Sequence, residues 1–189
     1  MAEVLLYHHV QGLTDGVRAF ADDLRRDGHT VHTPDLFDGR TFGSLDEGMG
    51  FVREAGFDAL RERGVAAAEG LGPELVYAGL SFGVTAAQKL AQTRPGARGA
   101  LLMHACIPVT EYGTPWPGGV PVQIHGKEGD EYFAEDLPAA RDLAATASAA
   151  ELFLYPGDQH LFTDASLGDF DADAYRLLLE RVRTFLASV

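Results

Sequence analysis

The sequence VYAGLSFGV at residues 76–84 combines an apolar, strand-like run with a Gly-x-Ser-x-Gly pattern centred on Ser81. A helix-forming run over 84–92 follows at once, so the predicted order is strand, sharp turn, helix. Small residues two positions either side of the serine let strand and helix approach closely. The pattern alone is weak because glycine and serine are common. In this context it predicts a serine whose hydroxyl stands above the sheet edge, beside the positive end of a helix.

The rest of the chain alternates strands with helices. Strands are predicted over 2–7, 29–33, 74–78, 99–104, 120–125 and 150–155. Helices are predicted over 15–27, 44–70 (as one helix or two, with breaks at Gly50 or Gly56), 84–92, 138–147 and 171–187, and an irregular loop over 106–119. This alternation predicts an α/β fold: one domain over 1–189, with a mostly parallel sheet of six or seven strands between two helical layers and no large lid domain.

Composition limits the classes of function. The net charge of −13 argues against nucleic acid or an anionic membrane as a partner, because both are bound through Lys and Arg clusters. No apolar run approaches the roughly 20 residues that span a bilayer, and the start of the chain does not resemble a signal peptide. The single cysteine, Cys106, excludes an internal disulfide. The seven histidines lack metal-ligand spacing, so no metal is expected. Because neither a membrane span nor a signal peptide is predicted, we expect a cytoplasmic protein.

Three polar residues follow different predicted strands: Ser81, Asp130 and His160. The loops beyond the carboxyl ends of parallel strands build the ligand site, so these side chains are expected to meet. A serine hydroxyl needs a neighbouring imidazole to take its proton, and a carboxylate orients that imidazole. The chain order serine, acid, histidine is that of an α/β-hydrolase. Glu128 lies two residues from Asp130 and is the alternative acid.

Attack on a carbonyl creates an oxyanion, which needs hydrogen-bond donors. The backbone N–H of Phe82, directly after the serine, and that of Val10, in the loop after the first strand, are the expected donors. Losing one such donor typically costs about 10²–10³ in turnover.

Three further segments carry a resemblance to the dienelactone hydrolase family. HHVQGL at 8–13 resembles the family's H-E-x-x-G-L, PDLFDG at 34–39 resembles its P-D-L…G, and YPGDQHLF at 155–162 is similar to its Y-x-G-x-x-H-x-F. With the serine turn, these are four motifs in the family's order across nearly the whole chain. The resemblance implies an α/β-hydrolase fold, with Ser81 as nucleophile, Asp130 as acid and His160 as base.

The chain departs from the family at three positions. The founding members use a cysteine where this chain has Ser81, which implies serine hydrolase chemistry. Their glutamate in the first loop is replaced by His9. The arginine that follows their catalytic histidine has no counterpart in 161–164, so a dianionic dienelactone is not the expected substrate.

Together these patterns predict a serine hydrolase, acting on a small ester or lactone through an acyl-enzyme and without a cofactor. The alternatives are a thioesterase that uses the same residues and a non-catalytic, hydrolase-shaped binding protein. Three residues are candidates for the substrate pocket: His9 either lines it or packs in the core, and Tyr112 and Trp116 either wall it or anchor the long loop. The protein is expected to be a monomer or a homodimer.

Overall fold

The protein is described by a computed structural model that covers residues 1–113 and 115–189; residue 114, within the predicted irregular loop, lies outside the described residues. The strands are β1 (Glu3–Tyr7), β2 (Thr30–His32), β3 (Val76–Leu80), β4 (Gly99–Met103), β5 (Val122–Lys127) and β6 (Ala150–Tyr155). The helices are α1 (Asp15–Arg26), α2 (Leu45–Ala55), α3 (Phe57–Ala66), α4 (Val84–Thr93), α5 (Glu131–Thr146) and α6 (Ala172–Ser188). Short 3₁₀ turns cover Ser81–Gly83 and Val109–Tyr112.

The six strands form one sheet in the order β2-β1-β3-β4-β5-β6, and every pairing is parallel. The predicted α/β-hydrolase architecture is therefore confirmed, with six strands and, among the described segments, no large lid. Strand order reverses between β1 and β3, because the chain first builds outward to β2 and then returns. In open α/β sheets, a crevice forms at such a switch point, beyond the carboxyl ends of the strands.

Hydrophobic packing covers both faces of the sheet. On β3, Val76, Ala78 and Leu80 belong to the cluster beneath α1 and α6, whereas Tyr77 belongs to the cluster beneath α3 and α4. This alternation follows from the two-residue period of a strand. All five residues of β3 are buried, as expected for a central strand between two helical layers.

Local capping sets the helix boundaries. The Thr14 hydroxyl accepts a hydrogen bond from Val17 N–H and starts α1. Gly56, with φ of +92°, separates α2 from α3, so the region 44–70 forms two helices and Gly50 lies inside the first.

Two predicted boundaries were wrong. The helix predicted from 138 begins at Glu131, because Asp130 accepts a hydrogen bond from Tyr132 N–H and caps it there, leaving Pro138 within the helix. The third strand spans Val76–Leu80 rather than 74–78, because strand pairing with β4 continues to Leu80, next to Ser81.

Among the described residues, no helix combines the length and apolar character needed to cross a membrane.

Candidate active site

Ser81 sits on the sharp turn between β3 and α4. Its φ is +50°, in the left-handed region that few residues other than glycine adopt. A Cβ on Gly79 would come within 2.5 Å of the Gly83 carbonyl carbon, and one on Gly83 would come within 2.5 Å of the Tyr7 oxygen. Both glycines of the pattern are therefore required by close backbone contacts, one within the turn and one between the turn and β1.

The structure brings Ser81, His160 and Asp130 together. Ser81 Oγ lies 2.8 Å from His160 Nε2, and His160 Nδ1 lies 2.6 Å from Asp130 Oδ2. A carboxylate accepts only, so the Nδ1 proton is donated to Asp130 and Nε2 is left to accept from the Ser81 hydroxyl. Asp130 is only 1% exposed, whereas Glu128 is exposed to solvent. Of the two acids that the sequence left open, the structure places Asp130 against the imidazole.

A buried lysine holds the loop that carries His160. Lys127 is at the end of β5, and its Nζ lies 2.6 Å from Asp171 Oδ2. The same Nζ is within hydrogen-bond distance of Oε1 of Gln159, the residue directly before His160. Gly129 N–H also donates to the Gly157 carbonyl at 2.9 Å. These contacts fix the loops after β5 and β6 against each other, and with them the Asp130–His160 geometry.

The two predicted oxyanion donors lie at the switch point. Phe82 is in the 3₁₀ turn directly after Ser81, and Val10 is in the loop after β1. The His9 carbonyl, in the same peptide unit as Val10 N–H, accepts from Gly12 N–H at 3.0 Å and from His8 Nδ1 at 2.8 Å. A peptide unit is planar and trans, so these two hydrogen bonds also set the direction of Val10 N–H.

His9 itself is fully buried, and its Nε2 lies 2.8 Å from Asp164 Oδ2. Asp164 is in the segment where the family's arginine has no counterpart, and His9 replaces the family's glutamate. His9 is thus bonded to a residue of that segment. Of the two roles predicted for His9, these contacts support packing in the interior rather than lining the substrate pocket.

The other two pocket candidates anchor the long loop. Tyr112 donates its hydroxyl to the Thr85 carbonyl at 2.8 Å, and Trp116 donates Nε1–H to the Val120 carbonyl at 2.7 Å. Neither side chain lines the cavity beside His160.

That cavity has a volume of about 480 Å³ and opens next to the imidazole. Its wall is formed by Leu45, Gly129, Asp130, Glu131, Tyr132, Asp158, Gln159, His160, Gly168 and Asp169. The Tyr132 ring lies 4.9 Å from the His160 ring and is about half exposed. A second cavity of about 350 Å³ shares four wall residues with the first, so a groove runs past Tyr132; the shared residues are Leu45, Tyr132, Gly168 and Asp169. Sequence patterns did not single out Tyr132, although its place two residues after the acid was a usable signal.

His104 is a further residue near the site that no sequence pattern identifies. It follows β4 with φ of +67°, its ring lies 5.9 Å from that of His160, and its Nε2 contacts Thr163 Oγ1 at 2.8 Å. Burial, with a smaller effect of the nearby His160, lowers the pKa of His104 well below its usual value. A neutral imidazole therefore packs beside His160.

Within residues 1–113 and 115–189, no group of three or more His, Cys, Asp or Glu side chains is arranged to hold a metal ion.

Comparisons with known proteins agree with this architecture. The chain resembles a dienelactone hydrolase-like promiscuous phosphotriesterase from metagenomic libraries, with a TM-score of 0.78 and 17% identity over 100% of this chain and 86% of that one. A dienelactone hydrolase from Anabaena variabilis aligns with a TM-score of 0.72 and 18% identity over 97% and 84% of the two chains. Mouse alpha/beta hydrolase domain-containing protein 10 gives 0.69 and 14%, over 99% and 90%. A search of curated proteins finds no match.

The family match is more extensive than any motif. The sequence model of the dienelactone hydrolase family matches residues 2–189, and the fold is shared with solved α/β-hydrolases. The chain belongs to the dienelactone hydrolase family, a hydrolase family of the α/β-hydrolase superfamily.

Proposed function

We propose that the protein is a serine hydrolase that cleaves a small carboxylic ester or lactone through an acyl-enzyme. The observation that carries the proposal is the continuous hydrogen-bond chain from Ser81 Oγ through the His160 ring to Asp130, with distances of 2.8 and 2.6 Å. This is the arrangement that activates a serine hydroxyl. Ser81 is partly exposed, and His160 and Asp130 line a surface cavity, although Ser81 itself is not part of that cavity's wall.

In the acylation step, Ser81 Oγ attacks the substrate carbonyl while His160 Nε2 takes its proton. Asp130 stabilises the resulting imidazolium and keeps the ring in the required tautomer. The carbonyl oxygen becomes an oxyanion, which accepts hydrogen bonds from Phe82 N–H and Val10 N–H. When the tetrahedral intermediate collapses, the bond to the alcohol breaks and His160 returns the proton to the leaving oxygen.

In the deacylation step, a water molecule replaces the alcohol. His160 takes a proton from the water as it attacks the acyl carbon, and the bond to Ser81 breaks with return of the proton to its oxygen. For a lactone, the leaving alcohol stays attached to the acyl chain, so one hydroxy acid is released. Neither step uses a group from outside the chain other than water.

The charge of the groove supports uncharged substrates. Glu131, Asp158 and Asp169 line the cavity beside His160, and among the described residues that form its wall there is no Lys or Arg. A carboxylate substrate would meet like charges there and across a protein of net charge −13. We therefore expect neutral esters and lactones to react faster than anionic analogues of the same size.

The test is covalent labelling with a fluorophosphonate, read as intact mass, on the wild type and on the Ser81→Ala and His160→Ala variants. We expect one adduct on the wild type, none on Ser81→Ala, and labelling of His160→Ala that is slower by about 10³-fold or more. Hydrolysis of neutral short-chain esters, lactones and thioesters would then separate an esterase from a thioesterase. A folded wild type that takes no label and turns over none of these substrates would instead support a binding protein.

A further inference from the structure

Two loops of the candidate site are joined through one buried carboxylate, that of Asp164. His9, in the loop after β1, donates from Nε2 to Asp164 Oδ2 at 2.8 Å, across 155 positions of sequence. Asp164 lies four residues after His160, and both His9 and Asp164 are at most 1% exposed. The contact therefore connects the loop that carries the Val10 N–H to the segment that carries the base.

Every acceptor position of Asp164 is used. Oδ2 accepts from His9 and from the Thr14 hydroxyl, while Oδ1 accepts from Ser166 N–H at 2.8 Å and from the Ser166 hydroxyl at 2.6 Å. Burial raises the pKa of Asp164, but hydrogen bonds from His9, Ser166 and Thr14 outweigh it and lower the pKa to about 2. A Cβ on Gly16 would stand 1.7 Å from Oδ1, so the carboxylate fits beside the start of α1 because residue 16 has no side chain. Asp164 is thus an anion with four donors around it.

The His9 ring is fixed at both nitrogens. Gln11 N–H donates to Nδ1 at 3.2 Å, so Nδ1 carries no proton and the proton is on Nε2, facing Asp164. The ring is a neutral bridge between its own loop and the carboxylate. It holds residue 9, whose carbonyl shares a planar peptide unit with Val10 N–H.

We propose that Asp164 is a positioning residue that acts through His9 to hold the Val10 N–H in place as an oxyanion donor. This inference rests on the proposed hydrolase function. In this proposal, the His9–Asp164 pair fixes the distance between the oxyanion donor on one loop and the base His160 on the other. If the pair is broken, the donor moves relative to Ser81, and a displacement of about 1 Å at such a position can lower turnover by about 10²-fold.

Three variants separate the two contacts of His9. His9→Gln retains an amide N–H at the Nε2 position facing Asp164 but offers Gln11 N–H no acceptor. His9→Asn places an acceptor near Gln11 N–H but is too short to reach Asp164. Asp164→Asn replaces one of the two acceptor oxygens with an NH₂ group, which then faces donors. Tyr175→Phe is the stability control, since it removes a hydrogen bond to Asp23 far from the site.

The measurement is kcat and KM for a neutral aryl ester, at a temperature where circular dichroism shows each variant folded. We expect His9→Asn and Asp164→Asn to lower kcat by about 10–100-fold with KM within about threefold, because the lost interaction is made in the transition state. His9→Gln should stay within about fivefold of wild type, and Tyr175→Phe should retain wild-type kcat. The double variant His9→Asn/Asp164→Asn should lose no more than the worse single variant.

Several results would overturn the proposal. An active wild type whose His9→Asn variant keeps its kcat excludes the positioning role even if Asp164→Asn does not fold. Additive losses in the double variant, or a change confined to KM, exclude it as well. A wild type that neither labels nor turns over any ester overturns the proposed function and this inference with it, so the two failures are distinguishable.

Discussion

Asp130 serves two neighbours with its two carboxylate oxygens. Oδ2 accepts from His160 Nδ1, and Oδ1 accepts from Tyr132 N–H at 3.0 Å as the N-cap of α5. The residue that orients the imidazole is therefore itself fixed by the start of a helix. Glu128, two positions earlier, is on the exposed part of the same loop. The difference between two acids with the same chemistry lies only in where the backbone directs them.

This geometry yields a residue-scale prediction. Asp130→Asn should lower kcat by about 10³–10⁴-fold, because the amide favours the wrong tautomer of His160. The fold should persist, since Asn Oδ1 can still cap α5. Glu128→Gln, the matched control, should change kcat by less than about twofold. Steady-state kinetics on one ester measure both effects. A large loss of kcat in Glu128→Gln with little loss in Asp130→Asn would show that Glu128, and not Asp130, is the acid.

At the scale of elements, α2 supports the loop that carries Val10. A Cβ on Gly48, near the start of the helix, would come 2.2 Å from the Val10 carbonyl oxygen. Helix and loop thus pack backbone to backbone, without a side chain between them. Gly50 lies in the same helix, with nothing within 4 Å of the position where its Cβ would be. Two glycines two residues apart therefore have different roles.

Replacing each glycine by alanine tests this packing. Gly48→Ala should lower the free energy of unfolding by about 1–3 kcal/mol, because the methyl group displaces either helix or loop. It should also lower kcat, since Val10 moves. Gly50→Ala should raise the free energy of unfolding by about 0.5–1 kcal/mol, because alanine is the better helix former. Urea unfolding of both variants gives the comparison, and equal effects would contradict the close contact at Gly48.

At the scale of the whole molecule, the interior holds several histidines as neutral groups. Burial lowers the pKa of His8 to about 4. Burial, with a smaller effect from Arg181, lowers that of His125 to about 3. In the unfolded chain both would titrate near 6.5. At pH values between the folded-state and unfolded-state pKa values, the unfolded state binds more protons than the folded state. The free energy of unfolding must therefore fall as the pH is lowered.

The expected consequence is acid sensitivity that begins near pH 6.5 rather than near pH 4. The contribution of each of these two histidines is complete above pH 6.5 and should fall by about 2 kcal/mol by pH 5. Urea unfolding at pH 8, 6.5, 5.5 and 5 measures the slope. His125→Phe, whose ring can keep the stacking on Phe153, should show a shallower slope than wild type. A free energy of unfolding that is constant from pH 8 to pH 5 would contradict charge-neutral burial.

The sequence by itself predicted the class of fold and the residues of the proposed triad. Periodicity and turn residues report local preferences, and these placed all six strands and separated them by helices. Since parallel strands end at one edge, loops known only from sequence could be assigned to one site, and Ser81, Asp130 and His160 do meet there. Boundaries failed where a distant or capping contact decided them, as at the start of α5.

Only the tertiary structure decided between Asp130 and Glu128, and only it revealed the His9–Asp164 pair, the groove past Tyr132 and the packing of His104 on His160. These depend on contacts between residues far apart in the chain, up to 155 positions for His9 and Asp164. No local pattern encodes such a contact. It arises because the strands are all parallel, so the loops after β1, β4 and β6 lie at the same edge of the sheet, where burial and hydrogen bonding select the partners.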